Sequence, residues 1–270
     1  MEDTIKKVKV SQSLLKALYN FKKGEECGIK IYEQYVNGLE TPSSDAMDLG
    51  NWFEYQCTGQ IPRSGIVPEP KMLKSGGLSA EYRRMEIQVE NFKRIIDRYE
   101  IQIDETGYVF KNNKYSGITD INATWDDERC IIDVKSTGKI DDKWSEFGWH
   151  EDKFENPDNP LAQYLTIQAV QYKLLAREEW GIPNIPFYFF VFSTTDENSV
   201  KIYKVEVDED RLDKHQEQLD IAYNYFNNVF VHKTKEELAF PNLKRCNECP
   251  LNQNCSQKID VPLVKTIQVY

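Results

Sequence analysis

The sequence has no apolar run approaching the length that crosses a bilayer, and its first residues, Met1-Glu-Asp-Thr-Ile-Lys-Lys, lack the apolar core of a secretory signal. A soluble, cytoplasmic protein with no membrane partner is therefore expected. There is no Gly-x-x-x-x-Gly-Lys-[Ser/Thr], which argues against a helicase or ATPase motor within the chain. Repeats and low-complexity tracts are absent as well. Positive charge is also short: 34 Lys and Arg stand against 44 Asp and Glu, a formal net charge of −10. That balance argues against a protein that coats nucleic acid by bulk electrostatics, so any nucleic-acid contact is expected in a local groove. At a metal site the ion itself brings the positive charge that a phosphate needs.

What is present is enough for a large core. With 270 residues, 40% of them hydrophobic, the chain can build one α/β domain with a helical appendage. Residues 11–57 read as helices, the first capped by Ser11 or Ser13, the second running from Cys27 to Tyr35 and a third starting near Asp45. Residues 61–77, rich in proline and glycine, read as a loop. A charged amphipathic helix follows over residues 79–99. Strands are expected at 108–111, 115–125 and 129–136, separated by Asn112-Asn113 and Asp126-Asp127 as tight turns. Asn159-Pro160 then opens a helix that ends at Gly181, strands follow at 187–194 and 199–207, and a long helix covers about 208–231. The fold class read from this order is α/β, a central mixed sheet flanked by helices. Three segments are expected: residues 1–100 as a helical lobe, 101–235 as the core, and 236–270 as a cysteine-rich tail docking on the lobe.

The strongest chemical signal is Asp120 with Asp133-Val134-Lys135. A two-residue turn at Asp126-Asp127 sets Asp120 opposite Asp133, with side chains on one face. Two unpartnered carboxylates so placed repel, and a divalent cation removes that cost. Lys135, two residues beyond Asp133, points to the same face and can orient an attacking water or stabilise developing charge. The plainer alternative is a surface hairpin whose Asp and Lys pair across strands. Gln168 and Tyr172 share one face of the following helix at i, i+4.

Gly117-Ile-Thr-Asp120, Asp133-Val-Lys135 and Gln168-Ala-Val-Gln-Tyr172 occur in the order that resembles the RecB-like branch of the PD-(D/E)XK nucleases. The resemblance implies a restriction-endonuclease-like fold and a DNA nuclease using Mg²⁺ or Mn²⁺. In it Asp120, Asp133 and Lys135 are catalytic, and the metal is held by Asp120, Asp133 and the backbone carbonyl of Val134. Gln168 and Tyr172 support the active site or contact the strand. The branch carries an upstream Gly-x-x-x-His whose histidine binds metal. Here the segment is Gly50-Asn-Trp-Phe-Glu54, so Glu54, a harder oxygen ligand, stands in that place.

Six cysteines in a cytosolic chain are read for metal rather than for disulfides. Cys246, Cys249 and Cys255 have C-x₂-C-x₅-C spacing, and Cys27 is the candidate fourth thiolate. One early cysteine with such a late trio resembles the AddB-type and CRISPR-adaptation nuclease domains, which implies a [4Fe–4S] cluster. Zinc at the same thiolates is the alternative. Cys57 and Cys130 read as small buried hydrophobes. Two functions follow from different classes: an exonuclease acting on single-stranded DNA ends in recombination, repair or mobile-element processing, or a non-catalytic DNA-binding scaffold stapled by the cluster. Either would work beside a separate helicase, recombinase or integrase, in a host cytoplasm if the chain is viral. Lys71, Lys74, Arg83, Arg84 and Lys143 are basic candidates for the strand path.

Overall fold

The computed structural model describes residues 7–40, 42–62, 64–141, 144, 160–240, 246, 249–252 and 255, without the side chains of 160–166. The expected cap at Asn159, Lys143 and most of the tail lie outside the described residues. The helices are α1 (Gln12–Lys22), α2 (Gly28–Tyr35), α3 (Asp45–Thr58), α4 (Ala80–Arg98), α5 (Pro160–Trp180), α6 (Glu209–Asn228) and a short α7 (Lys235–Leu238). The strands are β1 (Gln102–Thr106), β2 (Ile121–Trp125), β3 (Glu128–Thr137), β4 (Phe187–Ser193) and β5 (Val200–Val205). Two units divide the chain, Met1–Pro42 with Asp220–Tyr270, and Ser43–Leu219. Among the described residues no helix is long and apolar enough to cross a membrane.

The larger unit carries one five-stranded mixed sheet in the order β1-β2-β3-β4-β5. Asp126 and Asp127 adopt φ of 52° and 63°, the left-handed pair that a type I′ hairpin demands and that aspartate tolerates better than most residues. This turn fixes the β2–β3 register, Trp125 opposite Glu128 through Ile121 opposite Ile132. The β3–β4 pair is parallel, which requires a long crossover, and α5 lies within it. Between neighbours on both sides, β4 is almost wholly apolar, with Phe187, Phe189, Phe190, Val191 and Phe192 all buried.

Alternation along β3 divides its chemistry. Ile132 and Val134 join Phe190 and Phe192 in a cluster with Trp52 and Phe53 of α3 and Met85 and Phe92 of α4. Residues of opposite parity, Ile131, Asp133 and Lys135, turn away from that cluster. Towards them stands α5, whose Tyr172 ring lies 6.0 Å from Phe187 and whose Gln168 reaches Asp133. Ser44 caps α3 by accepting from the Met47 N–H at 3.3 Å, and Gly59 ends the helix at φ 71°.

Two expectations shift. The first strand is Gln102-Ile-Asp-Glu-Thr106, not residues 108–111, where only an isolated Val109–Ile118 bridge forms. Most of β1 is exposed at the sheet edge, so its charged residues carry no apolar alternation from which a strand could be read. Residues 43–100 belong with the sheet, because α3 and α4 bury their apolar faces on it.

In the smaller unit Ser11 caps α1 by accepting from the Leu14 N–H at 3.2 Å. The chain's two distant parts meet there: Val8 N–H donates to Asn227 Oδ1 at 2.8 Å, and the Phe21 and Phe230 rings stand edge to face at 5.3 Å. Gly28, at the start of α2, is required by close approach, since a Cβ would sit 2.8 Å from the Leu238 carbonyl oxygen.

Candidate active site

Asp133 is fully buried on β3. Asp120 lies one residue before β2, where the ladder has ended, and its Oδ2 accepts the Val134 N–H at 2.8 Å. The carboxylate thus takes over from the backbone of β2 as partner to β3, which ties Asp120 to the Asp133–Lys135 segment. Asp133 Oδ1 accepts from Gln168 Nε2. Its Oδ2 is ion-paired with Lys135 Nζ but is buried without a well-directed hydrogen bond.

The loop entering Asp120 is clamped by α5. Tyr172 O–H donates to the Ile118 carbonyl at 2.6 Å, and Gln171 Nε2 donates to the Ser116 carbonyl at 2.8 Å. Between these bonds Gly117 lies so close to α5 that a Cβ would fall 2.7 Å from both Tyr172 and Leu175. Gln168, Gln171 and Tyr172 share one helical face at i, i+3, i+4, so one turn of α5 holds both Asp133 and the approach to Asp120. Sequence reasoning missed Gln171. Its position within the same helical stripe is the signal that could have found it.

Electrostatics bring Glu54 into this group. Burial pushes its carboxyl up from 4.5 to about 8, Asp120 and Asp133 push it the same way, and Lys135 opposes them. Asp133 rises from 3.8 to about 7 through burial and the Asp120 charge, against Lys135. Burial also raises Asp120, with Lys135 and the Val134 N–H opposing. For Lys135 burial favours the neutral amine, but Asp133 and Asp120 outweigh it and hold the proton. Three acidic groups thus share one ammonium, a surplus of negative charge that protons or a cation must relieve.

Glu54, Asp120, Asp133 and Lys135 therefore lie within one electrostatic neighbourhood, with Gln168 and Tyr172 beside it and Val134 within it. Among the described residues, however, no three His, Cys, Asp or Glu side chains stand in a grouping that could hold a metal ion as placed. As placed, Asp120 Oδ2 accepts from Val134, and the oxygens of Asp133 face Gln168 and Lys135. Of the remaining basic candidates, Lys71 is paired with Asp45 at 2.5 Å, and Lys74 and Arg83 are exposed.

The four cysteines of the expected cluster all belong to the smaller unit. Cys27 precedes α2, its Sγ 4.0 Å from the Leu238 carbonyl oxygen. The Cys249 thiol is raised by burial, lowered by the Leu251 N–H, and raised further by Cys27 and Cys246, which places those three within electrostatic reach of one another. Cys255 is half-buried, and all six cysteines are free thiols. Cys130 is buried in the sheet unit's core, with its thiol pushed up to about 12, chiefly by burial. Cys57 packs against the same core, its thiol raised by burial and by Glu54. Both are packed as small apolar side chains of that core.

No protein-family model and no curated protein sequence matches the chain. Among solved structures, a candidate exonuclease from Eubacterium rectale aligns over 97% of this chain and 91% of its own, with a TM-score of 0.62 at 18% identity. A phage-related exonuclease from Haemophilus somnus aligns over 82% of this chain and 95% of its own, at 13% identity and a TM-score of 0.38. The first likeness is one of fold, a mixed sheet flanked by helices, and the second is too slight to bear on it.

Proposed function

We propose that this chain is a divalent-metal-dependent deoxyribonuclease that hydrolyses phosphodiester bonds, acting as an exonuclease on single-stranded DNA ends. The observation that carries this reading is the surplus of buried negative charge around Lys135. Burial raises all three carboxyls, Asp120 and Asp133 raise Glu54 further, and Asp120 raises Asp133, a crowding of acidic groups that a cationic ligand would relieve. The donor set suits Mg²⁺ or Mn²⁺, with Glu54, Asp120, Asp133 and the Val134 carbonyl as ligands. When bound, such an ion supplies Lewis-acid stabilisation of the charge that grows on the phosphate.

The chain's own groups do the rest. Lys135, released from its ion pair with Asp133, faces the phosphate and holds the attacking water by hydrogen bonding. In the hydrolysis a water oxygen bonds to phosphorus while the bond from phosphorus to the leaving sugar oxygen breaks, and the water's proton ends on that oxygen through solvent. Gln168 fixes Asp133 in orientation. Tyr172 and Gln171 hold the loop that presents Asp120, so both are positioning residues.

We assign Cys27, Cys246, Cys249 and Cys255 to a structural centre, a [4Fe–4S] cluster in preference to zinc. The influence of Cys27 and Cys246 on the Cys249 thiol supports a common soft-ligand site, chemically distinct from the hard oxygen ligands of the catalytic centre. DNA is the partner, with a separate helicase, recombinase or integrase supplying any motor or joining step. The test is product analysis on end-labelled single- and double-stranded DNA with Mg²⁺ or Mn²⁺. Cleavage from an end supports the proposal, and a folded, metal-supplied protein that cuts neither substrate makes it a scaffold.

A further inference from the structure

We propose that Arg84 binds a phosphate of the DNA strand within a few nucleotides of the bond that is cut. This rests on the nuclease reading and extends it to the path of the strand. Arg84, on the second turn of α4, is half-buried, and its Nε donates to the Thr194 carbonyl at 2.8 Å. Four further N–H donors of a guanidinium remain, and among the described residues no carboxylate pairs with it. A half-buried cation without an acidic partner among the described residues calls for an explanation. Arg177, by contrast, is paired with Asp213 at 3.0 Å and Lys201 with Asp141 at 3.0 Å. Pinning through Nε fixes the plane of the guanidinium and leaves its outer edge as a fork for two oxygens, the geometry that phosphate takes from arginine.

The position fits as well. Thr194 N–H donates to the Thr137 carbonyl at 2.9 Å, so the Arg84 anchor sits just past the paired ends of β3 and β4. Thr137 is four residues beyond Asp133 and two beyond Lys135, or roughly 13 and 7 Å along the strand at about 3.3 Å per residue. Although α4 packs on the face from which Asp133 and Lys135 turn away, its Arg84 is anchored at the end of the same strand pair, where a strand leaving the site can reach it. Gln88, one turn further along α4, anchors the same corner by donating to the Ser193, Asp196 and Ser199 carbonyls. Arg84 is therefore not needed to close the β4–β5 turn, and its outer donors are left for a ligand.

The experiment measures binding of a fluorescein-labelled single-stranded oligonucleotide against salt concentration, in an Asp133→Asn background that prevents cutting. Arg84→Gln keeps a donor for the Thr194 carbonyl but loses the charge. It is expected to weaken binding roughly tenfold and to reduce the slope of log affinity against log salt by about 0.7, one phosphate contact on a single strand. Arg98→Gln, at the far end of α4, removes the same charge and is expected to leave the slope unchanged. Arg84→Lys retains the charge and is expected to retain the slope while losing affinity. An unchanged slope in Arg84→Gln, an equal fall in Arg98→Gln, or a fall in Arg84→Lys as large as that in Arg84→Gln would overturn the proposal. If neither the wild type nor the Asp133→Asn parent binds DNA, the nuclease reading fails and takes the inference with it. If the parent binds and Arg84→Gln binds identically, the inference alone fails.

Discussion

Replacing Glu54 by glutamine, with divalent ions removed, should make the protein more stable at pH 8 and leave it unchanged at pH 4.5. Burial first, and then Asp120, hold the Glu54 carboxyl at about 8 rather than 4.5. A raised carboxyl binds its proton more tightly in the folded than in the unfolded chain. Its contribution to stability is therefore complete below about 4.5 and is lost as pH climbs to about 8. At about 1.4 kcal/mol per pH unit the full loss is ~5 kcal/mol, and about half of that survives a discount for the side chain's partial exposure. Glutamine keeps the shape and carries no charge, so it should recover ~2 kcal/mol at pH 8, some 4–8 °C of melting temperature for a domain of this size. Thermal melts of both proteins at half-unit pH steps test this, because the difference between the two curves leaves only Glu54 and the groups coupled to it. Adding Mn²⁺ at pH 8 should then raise the melting temperature of the wild type more than that of the variant. A difference that does not change between pH 4.5 and 8, or a variant less stable at pH 8, would refute the reasoning.

Gly117→Ala should lower stability by about 1–3 kcal/mol in urea unfolding, because its Cβ has no room against Tyr172 and Leu175. Tyr172→Phe should cost about 1 kcal/mol by leaving the Ile118 carbonyl without its donor, and the measured kcat should fall with it as Asp120 loses its support. Cys249→Ala should reduce stability and solubility before activity. Anaerobically purified wild type should be brown and hold iron and acid-labile sulfide, whereas zinc without sulfide would replace the cluster with a zinc site at the same thiolates.

The central hairpin was legible because its determinants are local. Asp126-Asp127 supplies the turn, and the turn alone sets the register that ends with Ile121 opposite Ile132 and brings Asp120 next to Asp133. The helices α3 to α6 were legible from apolar periodicity and from Pro160 and Gly181 at the ends of α5. Strand β1 was not, since an exposed edge strand of charged residues has no pattern distinct from a loop. Nor was the membership of residues 43–100, because which surface an amphipathic helix covers is decided by the sheet it meets and not by its own sequence. At the site, residue types and spacing pointed to Asp120, Asp133 and Lys135. Gln171 lies in the helical stripe that Gln168 and Tyr172 mark, but the carbonyls that Gln171 and Arg84 meet, 55 and 110 residues away, are contacts that no local motif encodes.

The most direct test of the account is metal-dependent cleavage of end-labelled single-stranded DNA by the wild type, Asp133→Asn and Lys135→Met, with circular dichroism confirming that all three fold. The account predicts cleavage with Mg²⁺ or Mn²⁺ by the wild type, none with chelator, and a loss of at least a hundredfold in each variant. Cleavage that persists in both folded variants, or a folded wild type that cuts no DNA with either metal, would contradict it.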